Sequence, residues 1–317
     1  MRVVVFGAGA IGSLLGARLV AAGHEVVMVG RPAAAERIRT SGLVATGRTE
    51  GTFRPAATAS LAAPTTTELV LLTVKAGDVR EAGRQIASAI RPPVPVVALQ
   101  NGLGIEEVLA RGLSDGGWPG AERWVVRAIN SYGATLVAPC RVHHAGDGEI
   151  LLPSTDGAAP PGTIDRIDRL LRDGGFAVRR VTDLPRELWR KALVNAAVNP
   201  VTAQHGVANG DLLRDPLRGQ AENLLKEALA TARLEGQVFS DEEADRDLWR
   251  VVRATAENRS SMLQDLDRGR PTEIDEISGS ILRAAQRHGL DLPHTRRAIE
   301  WVRRRESERA GSASSPR

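Results

Sequence analysis

Arg2-Val3-Val4-Val5-Phe6-Gly7-Ala8-Gly9-Ala10-Ile11-Gly12 stands at the start of the chain, and its reading decides the fold. The run from Arg2 to Phe6 is apolar and rich in valine, which predicts a strand, and the pattern from Ile11 to Ala22 predicts a helix. Between them lies G-x-G-x-x-G in the strand–turn–helix setting of a dinucleotide-binding unit. In such a unit Gly7 permits the tight turn, Gly9 lets backbone approach a pyrophosphate, and Gly12 allows close helix–strand packing. The helix start at Ala10 and Ile11 offers unpaired N–H groups and a positive dipole end to phosphate.

The second predicted strand, Glu25 to Val29, runs into Gly30 and Arg31 and carries no acid at its end. An acid there would read a ribose 2′-hydroxyl, whereas arginine suits a 2′-phosphate, so NADP(H) is favoured over NAD(H). Lys75, at the tip of Leu71-Leu72-Thr73-Val74, can add charge to the same phosphate. A helix over Asp78 to Ala89 and a strand over Val94 to Leu99 continue the alternation, which argues for a parallel, doubly wound sheet. Gln100-Asn101-Gly102-Leu103-Gly104 follows at the carboxyl edge, where ligands bind, and places Asn101 to contact nicotinamide or substrate. From Ala121 to Leu152 successive strands with turn signals, Gly146-Asp147-Gly148 among them, are expected to extend the sheet in antiparallel fashion. A helix over Ile164 to Asp173 and a strand over Phe176 to Arg179 close this half.

Beyond Thr182 the strand signal vanishes, and helices are expected over Pro185 to Ala197, Pro216 to Glu235, Asp241 to Asn258, Ile274 to His288 and His294 to Glu306. The expected architecture is a Rossmann-type α/β domain over 1–182, an all-α domain over 183–309 and a disordered Ser/Gly/Pro-rich tail over 310–317. Gly112 to Gly120 reads as a surface loop. With 317 residues, 42% hydrophobic and 25% charged, the chain has the composition of a two-domain globular protein. The net charge of +4 comes with arginines interleaved with Glu300 and Glu306 near the end, a solvated helix face rather than a nucleic-acid patch. Cys140 stands alone, so no internal disulfide or cysteine-based metal site is expected, compatible with a reducing, cytoplasmic compartment. No stretch approaches the about 18 apolar residues of a membrane span, and the histidines show no metal-ligand spacing.

Only three of the 42 basic residues are lysine: Lys75, Lys191 and Lys226. A surface needing mere positive charge accepts arginine, which cannot deprotonate in a protein, whereas a lysine ammonium can donate a proton. Lys191, Asn195 and Asn199 place three scarce residues at spacings of four, one stripe on a helix. A proton donor flanked by neutral amides suits a carbonyl-processing site. Lys226 lies four residues after Glu222 with no polar motif around it and reads as a surface pair.

Gly7 to Gly12, Lys75, Gln100-Asn101-Gly102 and Trp189-Arg190-Lys191 with Asn195 resemble the ketopantoate reductase (2-dehydropantoate 2-reductase) family. So do Asn199-Pro200-Val201-Thr202-Ala203, Asn209-Gly210, Asn258-Arg259-Ser260-Ser261-Met262-Leu263-Gln264-Asp265 and Thr272-Glu273-Ile274-Asp275. The resemblance covers nearly the whole chain, and its later motifs are more specific than the glycine fingerprint. It implies NADPH-dependent reduction of 2-dehydropantoate to (R)-pantoate in pantothenate biosynthesis, by a monomer or homodimer acting on a small 2-oxoacid. By position it implies Lys191 as general acid and Glu273 as ligand of the substrate hydroxyl. Ser261 and Asn101 would hold the carboxylate region, Asn195, Asn199, Asn258 and Asn209 would line the pocket, and Arg31 and Lys75 would take the 2′-phosphate. Hydride delivery to a ketone leaves alkoxide charge, which a nearby ammonium stabilises and then protonates. A reductase of another 2-oxoacid or ketone, a related two-domain NADP-dependent dehydrogenase and a non-catalytic NADP(H)-binding sensor stay open as alternatives.

Overall fold

The computed structural model describes residues 1–61 and 66–313, the last four of these by backbone only. It divides into two units: Met1–Gln100 with Gly104–Leu184, and Asn101–Leu103 with the chain from Pro185 onward.

In the first unit β1 (Arg2–Phe6), α1 (Ala10–Ala21) and β2 (Glu25–Val29) form the opening βαβ unit. Then come α2 (Pro32–Ser41), β3 (Leu43–Gly47), β4 (Gly51–Phe53), β5 (Ala56–Thr58) and β6 (Leu69–Leu72). After these, α3 (Val79–Ala89), β7 (Val96–Ala98), α4 (Ile105–Asp115) and β8 (Val125–Arg127) continue the alternation. Among the described residues one sheet runs β5-β2-β1-β6-β7-β8, every neighbour parallel. Its strands are apolar at successive positions because both faces are covered. Val3, Val5, Met28, Leu69 and Leu71 pack on one face with Leu14 and Leu15 of α1. Val4, Phe6, Val29, Val70 and Leu72 pack on the other with Val79 and Ile86 of α3 and Leu109 of α4. That division follows the period of two along a strand.

The segment expected to extend this sheet in antiparallel fashion does otherwise. β8 joins it in parallel, whereas β9 (Ile129–Asn130), β10 (Gly133–Ala138), β11 (Arg141–Gly146) and β12 (Ile150–Pro153) leave it. β10 and β11 pair as a hairpin and build a separate sheet, β10-β11-β3-β4. After α5 (Thr163–Asp173), β13 (Val178–Val181) completes a third sheet, β13-β12-β9. The reason lies in α1, whose Gly12 to Ala17 and Leu19 are all buried. A helix apolar all round needs a second cover, and Ala45 of β3 and Val142 of β11 share its core. The loop expected from Gly112 also differs, because α4 runs through Asp115. Gly112 is a packing glycine: a Cβ there would lie 2.2 Å from the Arg80 carbonyl oxygen.

The second unit consists of α6 (Leu184–His205), α7 (Leu217–Leu234), α8 (Asp241–Ala254), α9 (Ser261–Asp267), α10 (Ile274–Arg287) and α11 (Pro293–Ala313). α6 is its central element: Leu193, Val194, Ala197, Val198 and Val201 sit in a core with Leu225 and Leu229 of α7, Leu248 of α8 and Ile277 of α10. α6 continues eight residues past the expected stop at Ala197 and passes through Pro200. An internal proline removes one ladder bond and costs about 3 kcal/mol, but the buried residues on both sides of it repay that by packing. α11 continues through Ala313, so the tail expected to be disordered from Ala310 is helical over its first four residues, while 314–317 lie outside the described residues. No helix among the described residues is long and apolar enough to cross a membrane.

Candidate active site

On the first unit, three adjacent strands bring sequence-distant residues to one edge. Gly7 follows β1, Arg31 follows β2 and Lys75 follows β6, and these strands are neighbours in the order β2-β1-β6. The glycine turn is held from inside: Gly7 has φ +125° and its N–H donates to the Val29 carbonyl at 2.8 Å. Thr73 Oγ1 donates to the Gly7 carbonyl at 2.8 Å. A Cβ on Gly12 would lie 1.9 Å from that same carbonyl oxygen, so the fold itself demands glycine there. Gly9 is different. Its Cβ would meet nothing nearer than the Thr73 carbonyl oxygen at 4.0 Å, so the protein does not require glycine at this exposed position. Glycine here leaves the backbone open to close approach by a ligand. α1 begins at Ala10 with no acid in its first turn, so nothing competes for its unpaired N–H groups at Ala10 and Ile11. The cradle therefore fits a pyrophosphate. Gly9→Ala is expected to fold with little loss of melting temperature while weakening nicotinamide dinucleotide binding by roughly tenfold, measured by fluorescence titration.

Arg31 is exposed at the N-cap of α2, where Pro32 occupies the first turn. Lys75 is half-buried between β6 and a 3-10 turn. Both follow strands that flank β1, whose end carries the glycine turn.

In the second unit, α6 carries Lys191 and Asn195, both half-buried, and Asn199, 5% exposed. Four-residue spacing within one helix sets them on one face. A neighbouring face of α6 is clamped by charge. Arg190 donates to Glu187 at 2.7 Å and to Glu243 of α8 at 2.6 Å, with Asp247 at 2.9 Å. Arg186 donates to both oxygens of Glu243 at 2.7 Å. Burial disfavours the Arg190 charge, yet its hydrogen bond to Glu243 and the fields of Glu187 and Asp247 outweigh that, so its pKa is raised. These bonds tie the Lys191-bearing turn of α6 to α8.

Asn101 and Glu273, far apart in sequence, meet directly: Asn101 Nδ2 donates to Glu273 Oε2 at 3.0 Å. Gly102 makes this possible by lying against α10, where a Cβ would come 2.3 Å from the Glu276 carbonyl oxygen. Glu273 is the N-cap residue of α10 but makes no side-chain capping bond, which leaves its carboxylate for other partners. Burial, reinforced by the charges of Glu273 and Asp275, raises the pKa of the neighbouring Glu276 carboxyl. Negative charge is thus concentrated at this helix start.

Ser261 is the first, exposed residue of α9. Its place is set by Ser260, which is buried, accepts from the Leu263 N–H at 3.2 Å and receives Thr202 Oγ1 at 2.7 Å. Asn258 is exposed, and its carbonyl accepts the Asn209 N–H at 2.9 Å. Asn209 is buried with its Nδ2 on Thr255 Oγ1 at 2.9 Å, so its amide braces the turn between α8 and α9. Arg190, Thr202 and Ser260 stand within the quoted motifs but have no role assigned from sequence, and Glu243 lies outside those motifs. The serine pair followed by an apolar run is a capping signal that marks Ser260. The clamp has no local signature.

Comparison with known proteins agrees along the chain. Residues 3–157 match the sequence profile described as ketopantoate reductase PanE/ApbA, and 183–306 match its C-terminal profile. The 2-dehydropantoate 2-reductase of Archaeoglobus fulgidus is 34% identical over 310 residues, covering 96% of this chain and 98% of that protein. A crystal structure of a PanE/ApbA family ketopantoate reductase from Ralstonia eutropha JMP134 superposes with a TM-score of 0.86 at 27% identity, over 98% of this chain and 100% of that one. A D-mandelate dehydrogenase solved with NADH and anilino(oxo)acetate shares the fold, with a TM-score of 0.88 at 22% identity over 98% of this chain and 99% of that one. With both of its halves matched by the family's profiles and a relative so similar over nearly full length, the chain belongs to the ketopantoate reductase family of oxidoreductases.

Proposed function

We propose that this protein reduces 2-dehydropantoate to (R)-pantoate with NADPH, and that Lys191 is the general acid. The observation that carries this reading is the stripe of Lys191, Asn195 and Asn199 on one face of a charge-clamped helix, in a chain nearly free of lysine. A nicotinamide dinucleotide held by the glycine cradle would supply the hydride that the ketone carbon takes up. As the C=O π bond opens, charge gathers on oxygen, and the Lys191 ammonium stabilises it and then transfers a proton to it. Asn195 and Asn199 continue the same helical face with neutral amides that line the pocket. Glu273, held by Asn101, accepts the substrate's hydroxyl hydrogen, and Ser261 and Asn101 donate towards the carboxylate region. Asn258 and the braced Asn209 complete the polar lining. The cradle at Gly7, Gly9 and Gly12 with the start of α1 takes the pyrophosphate, and Arg31 and Lys75 take the 2′-phosphate.

The test is NADPH oxidation with 2-dehydropantoate beside a panel of other 2-oxoacids. Turnover fastest on 2-dehydropantoate supports the reading; NADPH binding without turnover on it rejects the substrate. A second measurement examines cofactor choice. Arg31→Ala is expected to raise the NADPH KM about tenfold, the loss of one charge-assisted hydrogen bond, and to leave the NADH KM unchanged. Equal losses with both cofactors would remove Arg31 from the 2′-phosphate site.

A further inference from the structure

Arg127 ends β8 with only 7% of its surface exposed. Its Nη1 donates to the carbonyls of Ala98 at 2.9 Å and Ala128 at 3.0 Å, and its Nη2 to that of Gln100 at 2.6 Å. Its Nε lies 3.5 Å from Glu106 Oε2. Gln100, 6% exposed, donates through Nε2 to the carbonyls of Leu72 at 3.0 Å and Val74 at 3.1 Å. Together the two side chains tie the carboxyl ends of β8, β7 and β6, at and just past the last residues of the paired strands. The residue following Val74 is Lys75, and the residue following Gln100 is Asn101.

A buried guanidinium is an expensive way to tie backbone. Taking that charge out of water is costly, and the carboxylate of Glu106 beside it is 42% exposed. An apolar side chain of the same volume would fill the space without that cost. What only arginine supplies is a rigid planar fork that reaches three carbonyls at once.

We propose that Arg127 is a positioning residue for the reaction, its fork fixing the Gln100 turn and, with the Gln100 amide, the ends of the strands that carry Lys75 and Asn101. The inference rests on the proposed function insofar as Lys75 and Asn101 serve cofactor and substrate. A shift of about 1 Å at such positions costs up to roughly a hundredfold. The effect of Arg127 therefore falls on cofactor affinity and turnover rather than on global stability.

Arg127→Lys, Arg127→Met and Gln100→Met test it in the full-length protein, with Arg111→Met on the exposed face of α4 as control. NADPH Kd is read by fluorescence titration, kcat with 2-dehydropantoate, and melting temperature by calorimetry. Arg127→Lys keeps charge and approximate volume, so it is expected to melt within a few degrees of the parent. Its NADPH Kd should rise and its kcat fall by about ten- to a hundredfold. The Arg127→Lys/Gln100→Met double variant should be hardly worse than the poorer single one, since both side chains act through the one Gln100 turn. Arg127→Met is expected to bind NADPH as poorly as Arg127→Lys, which shows that the fork and not the charge matters. Kd and kcat within about twofold of the parent, or loss of cooperative folding in Arg127→Lys, would overturn the proposal in favour of a structural role. A parent protein that binds NADPH but does not reduce 2-dehydropantoate sinks the substrate reading alone, because the Kd comparison still decides Arg127. A parent that does not bind NADPH overturns both.

Discussion

Lys191→Ala is expected to lower kcat by roughly 10²–10⁴-fold while leaving NADPH affinity intact, the loss typical of a positioned general acid. Half-buried on the amide-bearing face of α6, Lys191 is the one basic residue among that helix's site candidates. Without it the alkoxide formed by hydride addition must take its proton from water and loses a nearby positive charge. Lys191→Arg separates these two contributions. Arginine restores the charge but does not give up its proton, so kcat recovers only partly at best. The pH profile gives an independent check. A group that must be protonated to act loses effect as pH rises through its pKa, so the parent's kcat falls on the alkaline side. In Lys191→Arg that descending limb disappears, because the guanidinium does not titrate there. A Lys191→Ala variant with kcat within a few-fold of the parent would remove Lys191 from the chemistry.

Glu273→Gln is expected to reduce kcat/KM for 2-dehydropantoate by about ten- to a hundredfold, the worth of a charge-assisted hydrogen bond of about 1.5–3 kcal/mol. The substitution is chosen to be gentle. A glutamine carbonyl still accepts from Asn101 Nδ2, now 3.0 Å from Glu273 Oε2, so the local geometry survives and the charge alone is removed. A second role for this acid is as a negative charge at the start of α10, worth about 0.3–1 kcal/mol to folding. That role predicts a slightly lower melting temperature and unchanged kcat/KM. Steady-state kinetics and calorimetry on the same variant therefore separate the two. Unchanged kcat/KM with a lowered melting temperature would mean that Glu273 only serves its helix. Glu273→Ala also breaks the bond to Asn101, so its loss in kcat/KM should exceed that of the glutamine variant.

Much of the fold and of the candidate site was legible from residue patterns, and the misreadings share a cause. Periodicity reports which side of an element is apolar, but not which other element covers it. The hairpin of β10 and β11 shows the usual alternation and turn signals, yet it covers α1 rather than extending the main sheet. The helical pattern ends at Ala197 in the sequence, whereas tertiary burial on both sides carries α6 on through Pro200, a local breaker. Gly112 looked like loop glycine and is instead a contact surface between α4 and α3.

By itself the sequence determined what depends on near neighbours in the chain. A glycine turn between strand and helix, an arginine where an acid would read a 2′-hydroxyl, and Lys191, Asn195 and Asn199 on one helical face are all local in sequence. Their geometry follows from the 3.6-residue turn and the two-residue pleat. Tertiary structure decided what depends on distant partners. Asn101 reaches Glu273 across 172 positions. Arg190 is clamped by Glu243 from another helix. Arg127, unremarked among so many arginines, is buried against three carbonyls at the ends of neighbouring strands. A hydrogen bond depends on distance and angle in space and leaves no period in the sequence. The residues proposed for the chemistry could be read from the chain, whereas the distant partners that brace them could not.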